Sequence, residues 1–433
     1  MASYKKLVKR LPGILKWAVQ RWDLALLLVA MLFILTTEGP PPGELSTQIN
    51  HILAGERFDF AKWEIKAMLN KLAHTLVSPQ RYMDEPARHD FFLDYLELVS
   101  NIQQTEWEIH RAHTDPAIQD PDAATATLHT QLDRLRATEK INQPLAEAIL
   151  EEQVSYILVS EGFGLLRQEL PPVGVHFTPL PALLIVSPRD HIERVFSLGL
   201  RHGLDATQRE AIETQVDDSQ DTSSLVSNIG GLSAYPAMLL ESSSLNWVAE
   251  VTAHEWLHHY LMLLPLGRDY AAPETRIINE TVASIVGKEA GRSMIARYYP
   301  EFLPPEPQEQ QEPEEPQEDT PPPEPPAFDY QAEMRETRVG ADELLAEGEI
   351  EQAEAYMEER RQEFVANGYY IRKLNQAYFA FHRAYADKPG AAGEDPIGPA
   401  VQELRAHSPD LYTFASRIAY VTTLAELEAL LAE

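Results

Sequence analysis

Apolar residues recur every three or four positions between residues 44 and 168, as they do in helices that bury one face. The segment 91–99 shows this spacing best. Prolines interrupt the pattern at residues 78–79, 115–116 and 120–121, so a helix should end or begin at each of these positions. The sequence therefore predicts a helical stalk or bundle over residues 44–168, for which we expect the role of a structural spacer.

Short apolar runs replace the helical spacing in the next part of the chain. Residues 183–186 are four consecutive aliphatic residues, and residues 224–227 precede a glycine pair and a second apolar run over 232–240. Runs bounded by turn residues predict strands, and hence a small sheet. The segment 228–235, which contains both glycines, fits either an edge strand that binds an extended peptide or a simple hairpin turn.

Two long helices are predicted after the sheet. Three serines at residues 242–244 can cap a helix that runs to residue 264 and stops before Pro265. A second helical segment covers residues 277–298. Further helices are predicted over residues 343–366, 369–386, 397–406 and 409–433.

The N-terminal segment has the charge pattern of a membrane protein. Six basic residues precede the uncharged run 24–35, and no Lys or Arg follows it until Arg57. By the positive-inside rule we expect the N-terminus in the cytoplasm and the rest of the chain outside. A helix over this run is only about 18 Å long, so an anchor must extend back towards Trp17. A cleaved signal peptide and a buried or interfacial helix are the alternatives to this signal-anchor.

Composition narrows the possible chemistry. The 433 residues carry a formal net charge of −31, which argues against nucleic acid as a partner because phosphate binding needs a basic face. Cysteine is absent, so thiolate nucleophiles are excluded and any metal must be held by His and carboxylates. Residues 304–326 are rich in proline and acid and contain no basic or aromatic residue, which predicts an extended, solvated loop.

The first long helix carries a metal-binding pattern. His254 and His258 are four residues apart, so both imidazoles project from one face and can share one ion. Glu255 lies about 100° further round the helix, where it can reach a metal-bound water. On the next helix Asn279 precedes Glu280, which would complete the His2Glu ligand set of a hydrolytic zinc site. An ordinary core helix that happens to contain histidines is the alternative.

These two motifs resemble those of the gluzincin metallopeptidases, the thermolysin-like superfamily with HExxH followed on a later helix by NExxA. The resemblance covers residues 254–258 and 279–283, and more loosely the order of strands and helices over 180–298. It implies zinc bound by the two histidines and the second glutamate, with the first glutamate as general base. Ser284 differs from the Asp that orients a metal-binding His in many gluzincins, so the support of that His is either weaker here or comes from Glu289 or another acid.

Two further features bear on the substrate. The segments 374–378 and 410–414 resemble, less closely, a group of predicted bacterial aminopeptidases within this superfamily. Arg276, one turn before Glu280, could pair with a carboxylate of the substrate or merely with Glu274.

A zinc hydrolase of this kind polarises the scissile carbonyl and activates a water, and Glu255 would pass the proton of that water to the leaving amine. A hydrogen-bond donor for the oxyanion is needed as well. Asn375, Tyr378, His382 and Tyr385 fall in one sector of a predicted helix. Tyr378 or His382 could be the donor, and the alternative is that the stripe only packs a half-buried helix.

Together these observations predict an α+β protein that is mainly helical, with a zincin-like catalytic domain built on a small sheet and two metal-site helices. The expected function is a membrane-anchored, zinc-dependent metallopeptidase that hydrolyses a peptide or protein substrate. The alternative is a catalytically degenerate, zincin-like surface scaffold or binding protein. Aminopeptidase and endopeptidase activity are not distinguished. The predicted divisions are residues 1–38 (basic tail and signal-anchor), 44–168 (helical bundle), 171–302 (catalytic core), 303–327 (acidic loop) and 328–433 (C-terminal helical subdomain that completes the site).

Overall fold

The computed structural model describes residues 44–165, 168–305, 328–384 and 395–432. The predicted signal-anchor, most of the acidic loop and Tyr385 lie outside the described residues. Among the residues that are described, no helix is both long and apolar enough to cross a membrane.

Helices make up most of the described chain, and short strands come between the fourth and the sixth of them. The helices are α1 (Glu44–Ile52), α2 (Phe60–Val77), α3 (Glu85–Thr114), α4 (Pro121–Leu158), α5 (Ala206–Gln220), α6 (Leu245–Leu261), α7 (Pro265–Arg268), α8 (Pro273–Tyr298), α9 (Tyr330–Ala346), α10 (Ile350–Ala366), α11 (Gln376–His382), α12 (Ile397–Ala406), α13 (Leu411–Ile418) and α14 (Leu424–Leu431). The strands are β1 (Gly164–Leu165), β2 (Gln168–Glu169), β3 (Val175–Phe177), β4 (Ala182–Pro188), β5 (Phe196–Leu200), β6 (Thr222–Ser227), β7 (Gly231–Leu232) and β8 (Ala237–Leu239). The prediction of a mainly helical α+β protein is confirmed.

The strand predicted at residues 183–186 is β4, the centre of an antiparallel sheet with the order β5-β4-β6. Alternate side chains of a strand point to opposite faces. Leu184 and Val186 pack with Ile49 of α1 and Val216 of α5, whereas Ile185 packs against α11 on the other face. Because both faces of β4 are covered, its sequence is a continuous apolar run rather than an alternating one.

A second sheet has the order β3-β8-β7, with β8 parallel to β3 and antiparallel to β7. The single strand predicted over residues 232–240 is wrong, because residues 233–236 separate β7 from β8. β6 and β7 belong to different sheets, so the glycine pair at residues 230–231, whose second member begins β7, is not the turn of a hairpin between these strands. β7 is instead an edge strand of the β3-β8-β7 sheet, and the binding of an extended peptide to it stays a prediction.

The largest hydrophobic cluster joins the pair α3 and α4 to the pair α6 and α8. Phe92 and Ile149 of the first pair and Trp256 and Ile278 of the second are all buried in it. The helix ends expected at the prolines are confirmed, since α2 ends at Val77, α3 ends at Thr114 and α4 begins at Pro121. The predicted bundle thus packs directly against the two helices that carry the candidate site, while the division into domains stays a prediction.

Two of the predicted C-terminal helices are in fact pairs of helices. The segment 343–366 lies in α9 and α10, which are separated by a turn at Gly348 with a φ of 81°. This left-handed conformation favours glycine. The segment 409–433 divides in the same way, because the Thr423 side chain accepts a hydrogen bond from Glu426 N and caps α14. The helical spacing of apolar residues continues across both turns, so this spacing alone predicted one helix where the structure has two.

Candidate metal centre

The predicted serine cap sets the beginning of α6. Ser244 accepts a hydrogen bond from the backbone N–H of Trp247, and the helix runs from Leu245 to Leu261, three residues short of the expected end. His254 and His258 lie one turn apart near the middle and end of this helix. Both are half-buried on the side that faces α8.

Glycines on α8 allow it to lie very close to α6. A Cβ at Gly287 would be 2.9 Å from the Glu250 carbonyl oxygen and 3.0 Å from the His254 Cβ. A Cβ at Gly291, one turn later, would be 2.8 Å from the Glu250 backbone nitrogen. A larger residue at either position would force the close-packed helices apart. The backbone of α8 therefore holds Glu280 within reach of both histidines.

The three predicted metal ligands converge in the structure. The two Nε2 atoms of His254 and His258 are 3.1 Å apart. Glu280 Oε2 is 3.5 Å from the first and 3.7 Å from the second. One possible ligand atom from each residue lies within 4.8 Å of the other two. Two nitrogens and one carboxylate oxygen thus surround a single point.

The burial of Glu280 and the lack of a hydrogen-bond partner for its Oε2 fit a cation at that point. Glu280 is 5% exposed, and its Oε2 has no hydrogen-bond partner among the described residues. A buried carboxylate oxygen is normally paired, because leaving it bare of water without a partner is unfavourable. An ion shared with His254 and His258 would supply the missing partner.

Asn279 fixes the protonation of His258. The Asn279 amide nitrogen donates to the Leu266 carbonyl at 3.0 Å, so its Oδ1 is the acceptor that lies 2.7 Å from His258 Nδ1. The proton of the neutral ring must then be on Nδ1, which leaves the lone pair of Nε2 free for a metal. Asn279, the first residue of the NExxA motif, therefore orients the His258 ring and fixes its proton on Nδ1.

Tyr270, from the loop between α7 and α8, holds the other oxygen of Glu280 by donating its hydroxyl hydrogen to Oε1. Burial alone would raise the pKa of Glu280, but His258, His254 and this hydroxyl outweigh it and bring the pKa down to about 2. For His254, burial favours a lower pKa, yet the attraction of the Glu280 carboxylate, 3.5 Å away, outweighs it and raises the pKa. Both shifts reflect the attraction between the buried carboxylate and the imidazoles.

Glu255, the predicted base, lies between α6 and the edge strand β7. Its side chain is 5% exposed, and its Oε2 accepts the hydroxyl hydrogen of Ser233 at 2.5 Å. A Cβ at Gly231 would be 2.1 Å from Glu255 Oε1, so this strand can pass here only because the residue is glycine. The close approach of β7 to the candidate base therefore depends on Gly231.

His259 is not part of the metal-site cluster formed by His254, His258 and Glu280. Its Nε2 lies 2.7 Å from the Ala234 carbonyl oxygen, and its ring packs against Tyr235. Burial lowers the pKa of His259 to about 4, so the ring is neutral and donates to this carbonyl. The contact ties α6 to residues 233–236 and so helps to fix Ser233 beside Glu255.

The two candidate oxyanion donors lie on α11. This helix is shorter than the predicted 369–386 and begins after Asn375, which caps it by accepting a hydrogen bond from Tyr378 N. The Tyr378 hydroxyl is 3.3 Å from that of Tyr330, and its ring is 4.3 Å from the His382 ring. Burial raises the pKa of Tyr378 and lowers that of His382 to about 4. The hydrogen bonds and ring contacts found in the described residues do not join either side chain to the metal-site cluster, and the donor role stays a prediction.

The expected substitute for the missing Asp is not where the sequence suggested. Glu289 forms a two-pronged ion pair with Arg405, at 2.9 and 2.7 Å, and is thereby occupied away from the histidines. Ser284 is buried on α8. The orienting contact to a histidine comes from Asn279 instead.

Sequence reasoning did not single out Tyr270 or Ser233. Tyr270 lies in a short loop ten residues before Glu280, where no periodic pattern assigns a direction to its side chain. Ser233 was inside the glycine-containing segment considered for substrate binding, but its contact with Glu255 depends on the bend between β7 and β8. Both residues come from irregular backbone, for which sequence spacing has no geometric meaning.

Comparison of the chain with protein-family models, with curated proteins and with solved structures gives no match. Conclusions about function therefore rest on the residues and geometry of the site.

Proposed function

We propose that this protein is a zinc-dependent metallopeptidase. The carrying observation is the convergence of His254, His258 and Glu280, with Glu255 beside them on the same helix. Two imidazoles and one carboxylate are a usual ligand set of catalytic zinc, which leaves a coordination position open. When bound, zinc would supply a Lewis acid for the scissile carbonyl and an acidified water.

In this proposal Glu255 is the general base and then the general acid. It would take a proton from the attacking water and give it to the departing amine. Its hydrogen bond with Ser233 and its contact with Gly231 hold the carboxylate in one position. Such positioning supports proton transfer, because the reacting groups need not be ordered during the reaction.

The edge strand β7 is the proposed binding site for substrate backbone. β7 is paired on one side, with β8, and it passes directly beside Glu255. An extended peptide can add to such an edge through main-chain hydrogen bonds. This arrangement favours an unfolded segment of polypeptide as the substrate. Either Tyr378 or His382 remains our proposed oxyanion donor, and the turnover of Tyr378→Phe tests the first of them.

The charge pattern of the N-terminal sequence supports a location at the membrane. We propose that residues 1–38 anchor the protein with its N-terminus in the cytoplasm and the catalytic part outside. Membrane fractionation after alkaline washing tests this, since an anchored chain stays with the lipid and a peripheral one is released.

Metal analysis of the purified protein tests the central proposal. We expect about one zinc per chain, lost in His254→Ala and kept in His129→Ala, which removes an exposed histidine from α4. Absence of metal after gentle purification, with no change in His254→Ala, would contradict the proposal. A bound zinc without any peptidase activity would instead favour the scaffold alternative.

A further inference from the structure

Two arginines lie beside the candidate metal centre, next to the tyrosine that binds Glu280. The guanidinium carbons of Arg194 and Arg276 are 5.8 and 5.9 Å from the centre of the Tyr270 ring. The same ring is 6.2 Å from that of His258. One aromatic side chain thus separates the metal-site cluster from two positive charges.

Neither guanidinium has a carboxylate partner in the described part of the chain. Arg276 is 7% exposed; one of its terminal nitrogens donates to the Ala271 carbonyl at 2.7 Å, while its buried Nε has no partner. Glu274, the partner suggested by the sequence, instead accepts the Leu424 backbone N–H. In a protein with 67 acidic and 36 basic residues, two neighbouring arginines without an ion pair call for an explanation.

The two charges also oppose each other. Burial is the main reason that the pKa of Arg276 falls to about 10, and repulsion by Arg194 lowers it further. Glu280 and Glu193 act in the other direction without forming an ion pair with it. The repulsion between Arg194 and Arg276 is unfavourable in the free protein, and an anion bound by both guanidinium groups would relieve it.

The backbone holds Arg194 in place. Its loop is fixed by Ile192, which is buried in a cluster with α9 and α10, and by the Glu193 backbone N–H, which donates to Ser187 Oγ at 3.2 Å. Val195 N donates to the Val186 carbonyl at 3.0 Å, immediately after Arg194. Arg276 is fixed by its place on α8, one turn before Glu280. The pair is therefore built into the fold.

We propose that Arg194 and Arg276 form a subsite that binds a carboxylate of the peptide substrate. Guanidinium groups bind carboxylates by paired, charge-assisted hydrogen bonds. Because the Tyr270 ring lies within about 6 Å of both arginines and of the His258 ring, the carboxylate belongs to a residue roughly one or two positions from the scissile bond. It is either the C-terminal carboxylate of the peptide or an acidic side chain. This inference rests on the proposed peptidase function and adds a substrate class to it.

Peptide binding without turnover tests the subsite separately from catalysis. The probes are three pools of N-acetylated hexapeptides made from neutral residues: one with a free C-terminal carboxylate, one with a C-terminal amide, and one amidated pool with Glu as the last residue. Each pool is passed over immobilised Glu255→Gln protein loaded with zinc, and retention is measured by mass spectrometry. We expect the acid pool to be retained roughly tenfold or more over the neutral amide pool.

Substitutions assign the effect to the arginines. In the same background, Arg194→Gln and Arg276→Gln should each abolish the preference for carboxylate, whereas Arg134→Gln, which removes an exposed arginine from α4, should keep it. If Arg276→Gln fails to fold, Arg194→Gln decides, because Arg194 is half-buried on a loop. Zinc content of each variant reports whether the site is intact.

The outcomes separate the two proposals. Retention of the acid pool alone assigns the C-terminal carboxylate, and equal retention of the Glu amide pool assigns an acidic side chain. Equal retention of all pools, or no retention above a protein-free column, overturns the subsite. A carboxylate preference that depends on Arg194, in a protein without peptidase activity, would contradict the peptidase proposal and leave the subsite standing.

Discussion

Asn279 and His258 form a hydrogen bond of 2.7 Å that decides which nitrogen of the imidazole is available to a metal. The Asn279 amide nitrogen donates a hydrogen bond to the Leu266 carbonyl, so the side-chain oxygen of Asn279 must be the group that accepts from His258. Asn279 on α8 thus orients His258 on α6. The candidate metal centre therefore depends on both helices together.

We predict that Asn279→Ala lowers zinc affinity by about 10- to 100-fold, the usual effect of removing an outer partner of a metal-binding His. The His258 ring would lose its fixed orientation and its fixed proton. Competition with a fluorescent zinc chelator measures the change. Asn101→Ala, at an exposed position of α3, is the matched control and should bind zinc as the wild type does. Equal affinity in both variants would show that the contact does not orient the ligand.

Gly231 gives a sharp test of how Glu255 is positioned. In Gly231→Ala the new methyl would overlap Glu255 Oε1, so strand and carboxylate must move apart. A displacement on the order of 1 Å can reduce turnover about 100-fold. We expect that loss in peptide hydrolysis with zinc content unchanged, because the metal ligands lie on α6 and α8.

Gly55→Ala is the control, since a Cβ at Gly55 would meet nothing within 4 Å. It should keep full activity. If Gly231→Ala hydrolyses peptide as fast as Gly55→Ala, β7 does not constrain the base.

The sequence was sufficient to predict that the three proposed metal ligands converge, and insufficient to predict the residues around them. His254, His258 and Glu280 lie on long helices, where a spacing of one turn translates directly into a shared face. Tyr270 and Arg194 lie on loops, and their positions beside Glu280 depend on how the loops pack. Contacts of this kind come from tertiary structure, so no local pattern reports them.

The same distinction explains the errors in the fold. The strand predicted over 232–240 had the right residue types, but the approach of the chain to Glu255 and the bend before β8 divide it. The sequence also offered no sign that β6 and β7 enter different sheets, because β6 pairs with β4 and β8 pairs with β3, and both partners lie far away along the chain. Helix ends marked by proline or serine were located within a few residues, because capping is a local interaction.

Glu255→Gln distinguishes an enzyme from a scaffold. The amide keeps the shape of the carboxylate but cannot accept a proton, so we expect turnover to fall by about 100- to 10,000-fold. Zinc content should stay the same, because Glu255 is not among the three converging ligands. Hydrolysis of quenched fluorescent peptides, together with metal analysis, measures both quantities. Unchanged biological function in cells that carry this variant would favour the scaffold.

A buried charge network far along α4 makes the protein sensitive to acid. Glu147 is 2% exposed and pairs with Lys71 at 2.6 Å and with His176 at 2.9 Å. Burial alone would raise the pKa of Glu147, but Lys71 and His176 outweigh it and lower the pKa from 4.5 to about 2. In the unfolded chain this carboxyl takes up its proton near its ordinary pKa, whereas in the folded protein it stays ionised to a lower pH. Its stabilising contribution is therefore complete above about pH 4.5 and is lost as the pH falls towards 2.

We predict that Glu147→Gln lowers the free energy of unfolding at neutral pH by about 3 kcal/mol, because a buried ion pair loses one partner. The variant should also lose less stability than the wild type between pH 4.5 and pH 2, since the titrating group is gone. Urea unfolding across this range measures both effects. Glu152→Gln is the matched control: its side chain is 44% exposed and pairs with Arg88, so its removal should change stability by less than about 1 kcal/mol. If both variants follow the wild-type acid curve, the stabilising charge lies elsewhere than at Glu147.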